Sequence, residues 1–383
     1  MNILIRVDSS DIIGTGHIFR MLNLANLYRF KNKIYFISKN HPFNLIEKVK
    51  DKYTCFEIFS NNPSSINFNH VSWLGESEEE DAQKTINIIK QNNLKLDWIV
   101  IDHYAITEKW EKLLKPYTKK MCVITDFINI KHNADILVNQ QASKKDIKLI
   151  KENLNKECKI LTGNEYIFFH YQYLQLFHHI NLKKQNLNKE KEIKQLKRIN
   201  IFMGGADYHN ITSHIIDVCI TFMDYVKNNK NAKDKFFIDI IIGNSNKNFS
   251  QIQEKIQNHE NYKSKFKLYY NMGFIGELLY EADLAIGAPG TTSYERCLMQ
   301  TPTLMINTAE NQKTVIQKFV DAQTSIYVGN IESADSEYKI KLLEQLINLY
   351  ENPNILENMR KNCKKFIDYK KNQAINILHI KKK

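Results

Sequence analysis

Three segments of this chain bring glycines, hydroxyls, imidazoles and carboxylates together in orders that can do chemistry. Gly14-Thr15-Gly16-His17 follows Asp8-Ser9-Ser10 and leads into Ile18 to Tyr28, where apolar residues recur at helical spacing. Two glycines let backbone approach a ligand closely, and the helix N-terminus behind them favours an anion. His17 stands where the loop meets that helix and is the leading candidate for catalysis. Asp102-His103-Tyr104 closes a second apolar run, Asp97 to Ile101. In the third segment, Gly287-Ala288-Pro289-Gly290-Thr291-Thr292-Ser293-Tyr294-Glu295-Arg296, a strand ends, a glycine turn follows and hydroxyls open a helix. Backbone N–H groups and hydroxyls at a helix start fit a diphosphate without a metal. Glu295, one turn in, is placed to accept from ribose hydroxyls.

Each segment also has a plainer reading. A histidine after a GxG turn is more often a loop residue than a catalyst. Asp102 can cap the next helix while Tyr104 packs, and Thr and Ser are ordinary helix caps beside a surface Glu. For His17, position at a strand carboxyl end favours the functional reading, because such ends line the crevice of an α/β sheet. Asp8, His17, His103, Tyr104 and Asp126 can surround one site, brought there by strand ends. Gly204-Gly205-Ala206-Asp207 ends another strand, and Glu310-Asn311-Gln312 offers short amides that can touch a sugar or phosphate. His170, His178 and His179 lie among Tyr, Phe and Leu and read as aromatic packing rather than metal ligands. Neither GxxxxGK[ST] nor GxSxG occurs, so neither a P-loop ATPase nor a serine elbow is expected.

The elements that must position these groups alternate. Strands are expected at residues 1–7, 33–38, 54–59, 97–102, 120–126 and 134–140, with an acid-started helix over 78–91. Leu182 to Leu196 is polar and lysine-rich. The alternation then restarts at 198–203 and continues through strands at 236–242, 266–269, 282–287, 302–306 and 325–328 to helices at 338–350 and 354–367. Near-continuous apolar strands separated by helices mean parallel sheets covered on both faces. The fold class is therefore α/β, with two Rossmann-like doubly wound domains, residues 1–185 and 198–383, facing across a cleft and joined by a linker at 186–197.

At 383 residues, two cores are the default, and 43% hydrophobic residues can fill them. The six cysteines are widely spaced with no ligand pattern, which points to reduced thiols, a cytoplasmic protein and no structural zinc. The chain opens on a strand pattern, so no signal peptide is expected, and no run is long and apolar enough for a membrane span. The net charge of +12 sits in lysine–asparagine stretches poor in aromatics, which read as solvated surface rather than a nucleic-acid groove.

The order of motifs resembles one family. Arg6-x-Asp8-Ser9-Ser10, Ile13-Gly14-x-Gly16-His17-x-x-Arg20, Ile101-Asp102-His103-Tyr104, Met203-Gly204-Gly205-Ala206-Asp207, Ala285 to Cys297 and Glu310-Asn311-Gln312 are similar to those of the UDP-2,4-diacetamido-2,4,6-trideoxy-β-L-altropyranose hydrolases of pseudaminic acid biosynthesis. These are relatives of the GT-B glycosyltransferases, and the likeness spans residue 1 to about 320. It implies the GT-B fold and metal-independent, inverting hydrolysis of a UDP-sugar by water, without a cofactor. It also implies a catalytic His17 and Tyr104. Binding residues would be Asp8, Gly14, Gly16, Arg20, Asp102, His103, Gly204, Gly205, Gly290, Thr291, Thr292, Ser293, Glu295, Asn311 and Gln312. Neither nucleic acid nor membrane is an expected partner, and a monomer is favoured. The chain departs from the family at Pro289, at Tyr294, where Trp is usual, and at Asp368 to Ala374, where a glycine-rich segment is expected.

Overall fold

The computed structural model describes residues 1–60, 66–67, 69–143, 145–187, 195–230, 236–308, 312–331 and 337–379. They form two compact units, Met1–Tyr171 with Tyr369–Lys383, and Gln172–Asp368. In the first, strands β1 (Asn2–Val7), β2 (Lys33–Lys39), β3 (Thr54–Ile58), β4 (Leu96–Asp102), β5 (Thr118–Ile124), β6 (Ile136–Asn139) and β7 (Lys159–Thr162) form a parallel sheet in the order β3-β2-β1-β4-β5-β6-β7. In the second, β8 (Arg198–Phe202), β9 (Phe237–Ile242), β10 (Phe266–Tyr270), β11 (Leu284–Gly287), β12 (Thr303–Asn307) and β13 (Ser325–Asn330) run β10-β9-β8-β11-β12-β13. Both orders are doubly wound, as the alternating pattern required.

The order of each sheet reverses at one place, and a crevice opens there at the strand carboxyl ends. In the first unit that place lies between β1 and β4, where Val7 pairs with Asp102. In the second it lies between β8 and β11, where Phe202 pairs with Gly287. The register therefore brings Asp8 beside His103, and Gly204 beside the turn that follows Gly287.

Helix Gly16–Tyr28 buries Ile18, Met21, Leu22, Leu24 and Ala25 against β1, so its first turn is held at the end of that strand. Gly14 has φ +81°, a backbone that favours glycine, and its N–H closes the turn onto the Ser10 carbonyl at 2.9 Å. Helix Glu78–Gln91 starts with a capping box, Ser77 with Glu80, and carries four acidic residues in its first turn, as its dipole favours.

The chain divides elsewhere than at the expected 185 and 198. Helix Tyr171–Leu187 belongs almost wholly to the second unit, where Tyr173 packs edge-on against Phe274 at 4.8 Å. Residues 188–194 of the expected linker lie outside the described residues. The segment Tyr369–His379, expected to end the second domain, packs on the first instead. Ala374, Ile377 and Leu378 join its core, and the Tyr28 hydroxyl donates to the Ile375 carbonyl at 2.8 Å and accepts the Leu378 N–H at 3.0 Å. Apolar spacing read along the chain cannot show which of two cores a terminal segment joins.

Ile377 is fully buried. Ile377→Ala is expected to destabilise the first unit by about 2–4 kcal/mol. Urea unfolding followed by circular dichroism checks this, and an unchanged midpoint contradicts the docking of the tail.

Candidate functional site

Under the end of β1 lies a largely buried set of charges, with Lys84 at its half-buried edge. Arg6 donates to both Asp8 (2.9 Å) and Asp81 (2.8 Å), and Lys39 donates to Asp81 (2.9 Å) and Glu76 (2.6 Å). The Trp110 indole N–H completes Asp81 at 2.9 Å, and Lys84 pairs with Glu76. Burial alone would raise the pKa of Asp8 and Asp81, but the Arg6 guanidinium overcomes it and holds both well below the usual carboxylate range. Asp8 also accepts the Lys39 backbone N–H at 2.6 Å, and His103 Nε2 lies 3.0 Å from it. Asp8 and His103, expected as ligand-binding groups, are both buried. Their side chains are committed to Arg6 and to each other, and His103 Nδ1 accepts the Ala105 N–H. Burial lowers the His103 pKa, so the ring is neutral at pH 7.

Above this layer, His17 Nδ1 meets the Asp102 carboxylate at 2.7 Å. Asp102 is fully buried and receives Arg20 in fork geometry, Nη2 at 2.7 Å and Nε at 2.8 Å. Burial would raise its pKa, but Arg20 and His17 hold it down to about 2, so it is ionised at neutral pH. A carboxylate at 2.7 Å demands a proton on Nδ1. In neutral His17 the lone pair is therefore on Nε2, the arrangement of a general base oriented by an acid. Arg20 also reaches Asp126 at 3.3 Å, and Asp126 accepts the Tyr104 hydroxyl in a short hydrogen bond. Burial, reinforced by Asp126, raises the Tyr104 pKa and keeps the phenol protonated. Arg20 and Asp102 both contact His17, and Arg20 reaches Asp126 as well.

Aromatic rings frame His17. Tyr104 stands edge-on to it at 4.4 Å and Trp73 at 5.9 Å, while Trp73 stacks on Tyr104 at 5.7 Å. Phe127 abuts Tyr104 at 4.7 Å, and His70 stacks on Phe127 at 4.6 Å. Sequence reasoning missed Trp73, His70 and Phe127, because they lie in loops without motif or periodicity. Of the three, Phe127 alone follows closely on a strand, β5.

In the second unit, helix Thr291–Leu298 follows β11 directly. Ser293 is buried and its hydroxyl accepts the Gly290 N–H at 3.2 Å, so it closes the turn, while Thr291 is exposed and Thr292 half-buried. Arg296 turns inward, donating to the carbonyls of Phe202 (2.9 Å) and Ala288 (3.2 Å). A Cβ at Gly287 would lie 2.0 Å from its Nη2, so this position must be glycine. Burial pushes the Glu295 carboxyl up to about 7, offset in part by a hydrogen bond from Tyr173 at 3.0 Å and by Arg296. A Cβ built at Gly14, Gly16, Gly204, Gly205 or Gly290 meets open space, so these turns have room beside them. Gln312 accepts from the Thr308 N–H at 3.0 Å. Asn311 lies outside the described residues. No group of three or more His, Cys, Asp or Glu able to hold a metal occurs among the described residues, and no described helix is long and apolar enough to cross a membrane.

No family model matches the chain. It is 24% identical to an uncharacterised protein of Methanocaldococcus jannaschii, over 95% of this chain and 68% of that one. It is 26% identical to a UDP-2,4-diacetamido-2,4,6-trideoxy-β-L-altropyranose hydrolase of Campylobacter jejuni, over 82% of this chain and 94% of that one. Among solved structures, Acinetobacter baumannii MurG superposes with a TM-score of 0.61 at 11% identity, covering 99% of both chains. The fold is GT-B.

Asp8, Asp81 and Asp102 all have depressed pKa values in the folded chain. Their contribution to stability is full above the unfolded value of about 4 and is lost as pH falls through the folded values, near 2 and below. Arg6→Met strands two buried carboxylates and is expected to cost about 3–5 kcal/mol at pH 7 and to move acid unfolding to higher pH. Circular dichroism in urea and along a pH titration measures both, and an acid midpoint equal to wild type contradicts the assigned network.

Proposed function

We propose that the chain hydrolyses the anomeric C–O bond of a UDP-linked 2,4-diacetamido-2,4,6-trideoxy sugar with inversion, releasing free sugar and UDP. The observation that carries the reading is His17, whose Nδ1 is fixed on ionised Asp102 so that Nε2 can accept a proton. Nε2 takes a proton from water as its oxygen bonds to the anomeric carbon. The bond from that carbon to the diphosphate oxygen breaks, and UDP leaves with the electron pair. Ordinary glycosidases need a second carboxyl group as acid because their alkoxide leaving group is a strong base. UDP is a far weaker base, so one base and stabilisation of the diphosphate suffice.

Other groups take roles consistent with their surroundings. Tyr104, protonated and held by Asp126, orients the water or the sugar. Gly204, Gly205, Gly290, Thr291 and Thr292 receive the diphosphate, with Glu295 on the ribose; Gly14 and Gly16 leave room for sugar beside His17. The rings of Trp73, Phe127 and His70 suit a deoxy sugar with acetamido groups better than a hydroxyl-rich one. The Trp73 indole N–H is buried without an acceptor among the described residues, and an acetamido carbonyl can serve it. The 26% identity to the Campylobacter jejuni hydrolase over most of both chains supports the same chemistry. Transfer to an acceptor other than water is the competing reading, because the fold is shared with MurG.

Incubating the protein with the UDP-sugar and no acceptor, followed by NMR, separates the two. Rapid free sugar of inverted anomeric configuration is expected, and turnover only on adding an acceptor contradicts hydrolysis. His17→Asn should lose roughly 10²–10⁴-fold in kcat while still binding UDP. Near-wild-type turnover in that variant removes His17 from the chemistry.

A further inference from the structure

The contact between Tyr173 and Glu295 is a polar pairing of the second unit that the account so far leaves without a purpose. Tyr173 is 3% exposed on helix Tyr171–Leu187, and its ring is fixed edge-on to Phe274 at 4.8 Å. Phe274 in turn occupies the space where a side chain at Gly276 would lie, with an added Cβ 2.3 Å from its ring. The phenol is therefore delivered to one place. There it donates to Glu295 Oε2 at 3.0 Å. Arg296, the neighbouring cation, spends its guanidinium on the Phe202 and Ala288 carbonyls and makes no hydrogen bond to Glu295 among those observed.

We infer that Tyr173 is a positioning residue for nucleotide binding: its hydroxyl holds Glu295 by one carboxylate oxygen and leaves the other to accept from the ribose. The inference rests on the nucleotide site proposed above and goes beyond it. A carboxylate presented to a ribose diol must be ionised, because only then is it an acceptor at every lone pair. Burial works against ionisation, and the two groups that work for it are the Tyr173 hydroxyl and the charge of Arg296. The phenol itself stays protonated, since burial and the nearby carboxylate both raise its pKa. Tyr173 thus sets both the direction in which Glu295 points and the pH range in which it works.

The test is UDP affinity by calorimetry from pH 6 to 9 for wild type, Tyr173→Phe and Glu295→Gln. The terminal phosphate of UDP titrates at about 6 in every variant alike, so differences between variants isolate the protein. Wild type should gain affinity through a midpoint near 7. Tyr173→Phe should shift that midpoint up by about one unit, which lowers affinity roughly fivefold at pH 7, with most but not all of the loss recovered by pH 9 as the unheld carboxylate ionises. Glu295→Gln should bind weakly with no such midpoint, and it tests the pair even if Tyr173→Phe does not fold. Equal affinity loss at all pH values in Tyr173→Phe, or a midpoint that survives in Glu295→Gln, overturns the inference and leaves the nucleotide site standing. Folded wild type that fails to bind UDP overturns both.

Discussion

The first unit is organised around one buried carboxylate. Asp102 ends β4 at the point where the strand order reverses, and it cannot be left there as an isolated charge. Arg20 answers it with a two-pronged guanidinium and His17 with a ring N–H. Both partners come from the same helix, one turn apart, so a single helix docked on β1 satisfies the charge. The cost of burying Asp102 is met by groups whose other ends are chemically useful. His17 is left with a free acceptor on Nε2, and Arg20 extends to Asp126 and through it to Tyr104. Breaking the carboxylate's contacts would therefore disturb fold and site together.

A second buried layer supports the first. Arg6, Lys39 and Lys84 balance Asp8, Asp81 and Glu76, three charges of each sign, and Asp8 carries His103, whose backbone adjoins both Asp102 and Tyr104. Such networks add little net stability over apolar packing, but they fix one arrangement of side chains, since each group has one partner set that satisfies it. The second unit uses a different device. Arg296 locks the end of β8 to the turn after β11 through backbone carbonyls, and a glycine at 287 is the condition for that lock.

Much of this was legible in the sequence. Runs such as Trp98-Ile99-Val100-Ile101 and Ile238-Asp239-Ile240-Ile241-Ile242 gave the strands, because a strand buried on both faces has little else it can be. The loop of His17 and the turn at Gly290 stood out because glycine and hydroxyl residues at a strand end have few structural alternatives. What the sequence hid was direction. Asp8, His103, Arg20 and Asp102 were all recognised as polar groups near one crevice, yet nothing in their spacing told which would face a ligand and which would face Arg6 or His17. Trp73, Phe127 and Tyr173 were invisible for another reason. They sit in loops or in an aromatic stretch, and their partners are about 20 to more than 100 positions away. The destination of the tail at Ile377 escaped for the same reason.

The central claim is that His17 and Asp102 work as one unit, the carboxylate holding the imidazole in the tautomer and orientation of a base. A double-mutant cycle on kcat for hydrolysis of UDP-2,4-diacetamido-2,4,6-trideoxy-β-L-altropyranose, with His17→Asn, Asp102→Asn and both together, measures this directly. Loss of either partner should cost about 10²–10⁴-fold, and the double variant should be no slower than His17→Asn alone. Losses that multiply, or an Asp102→Asn enzyme that is folded and as fast as wild type, would contradict it.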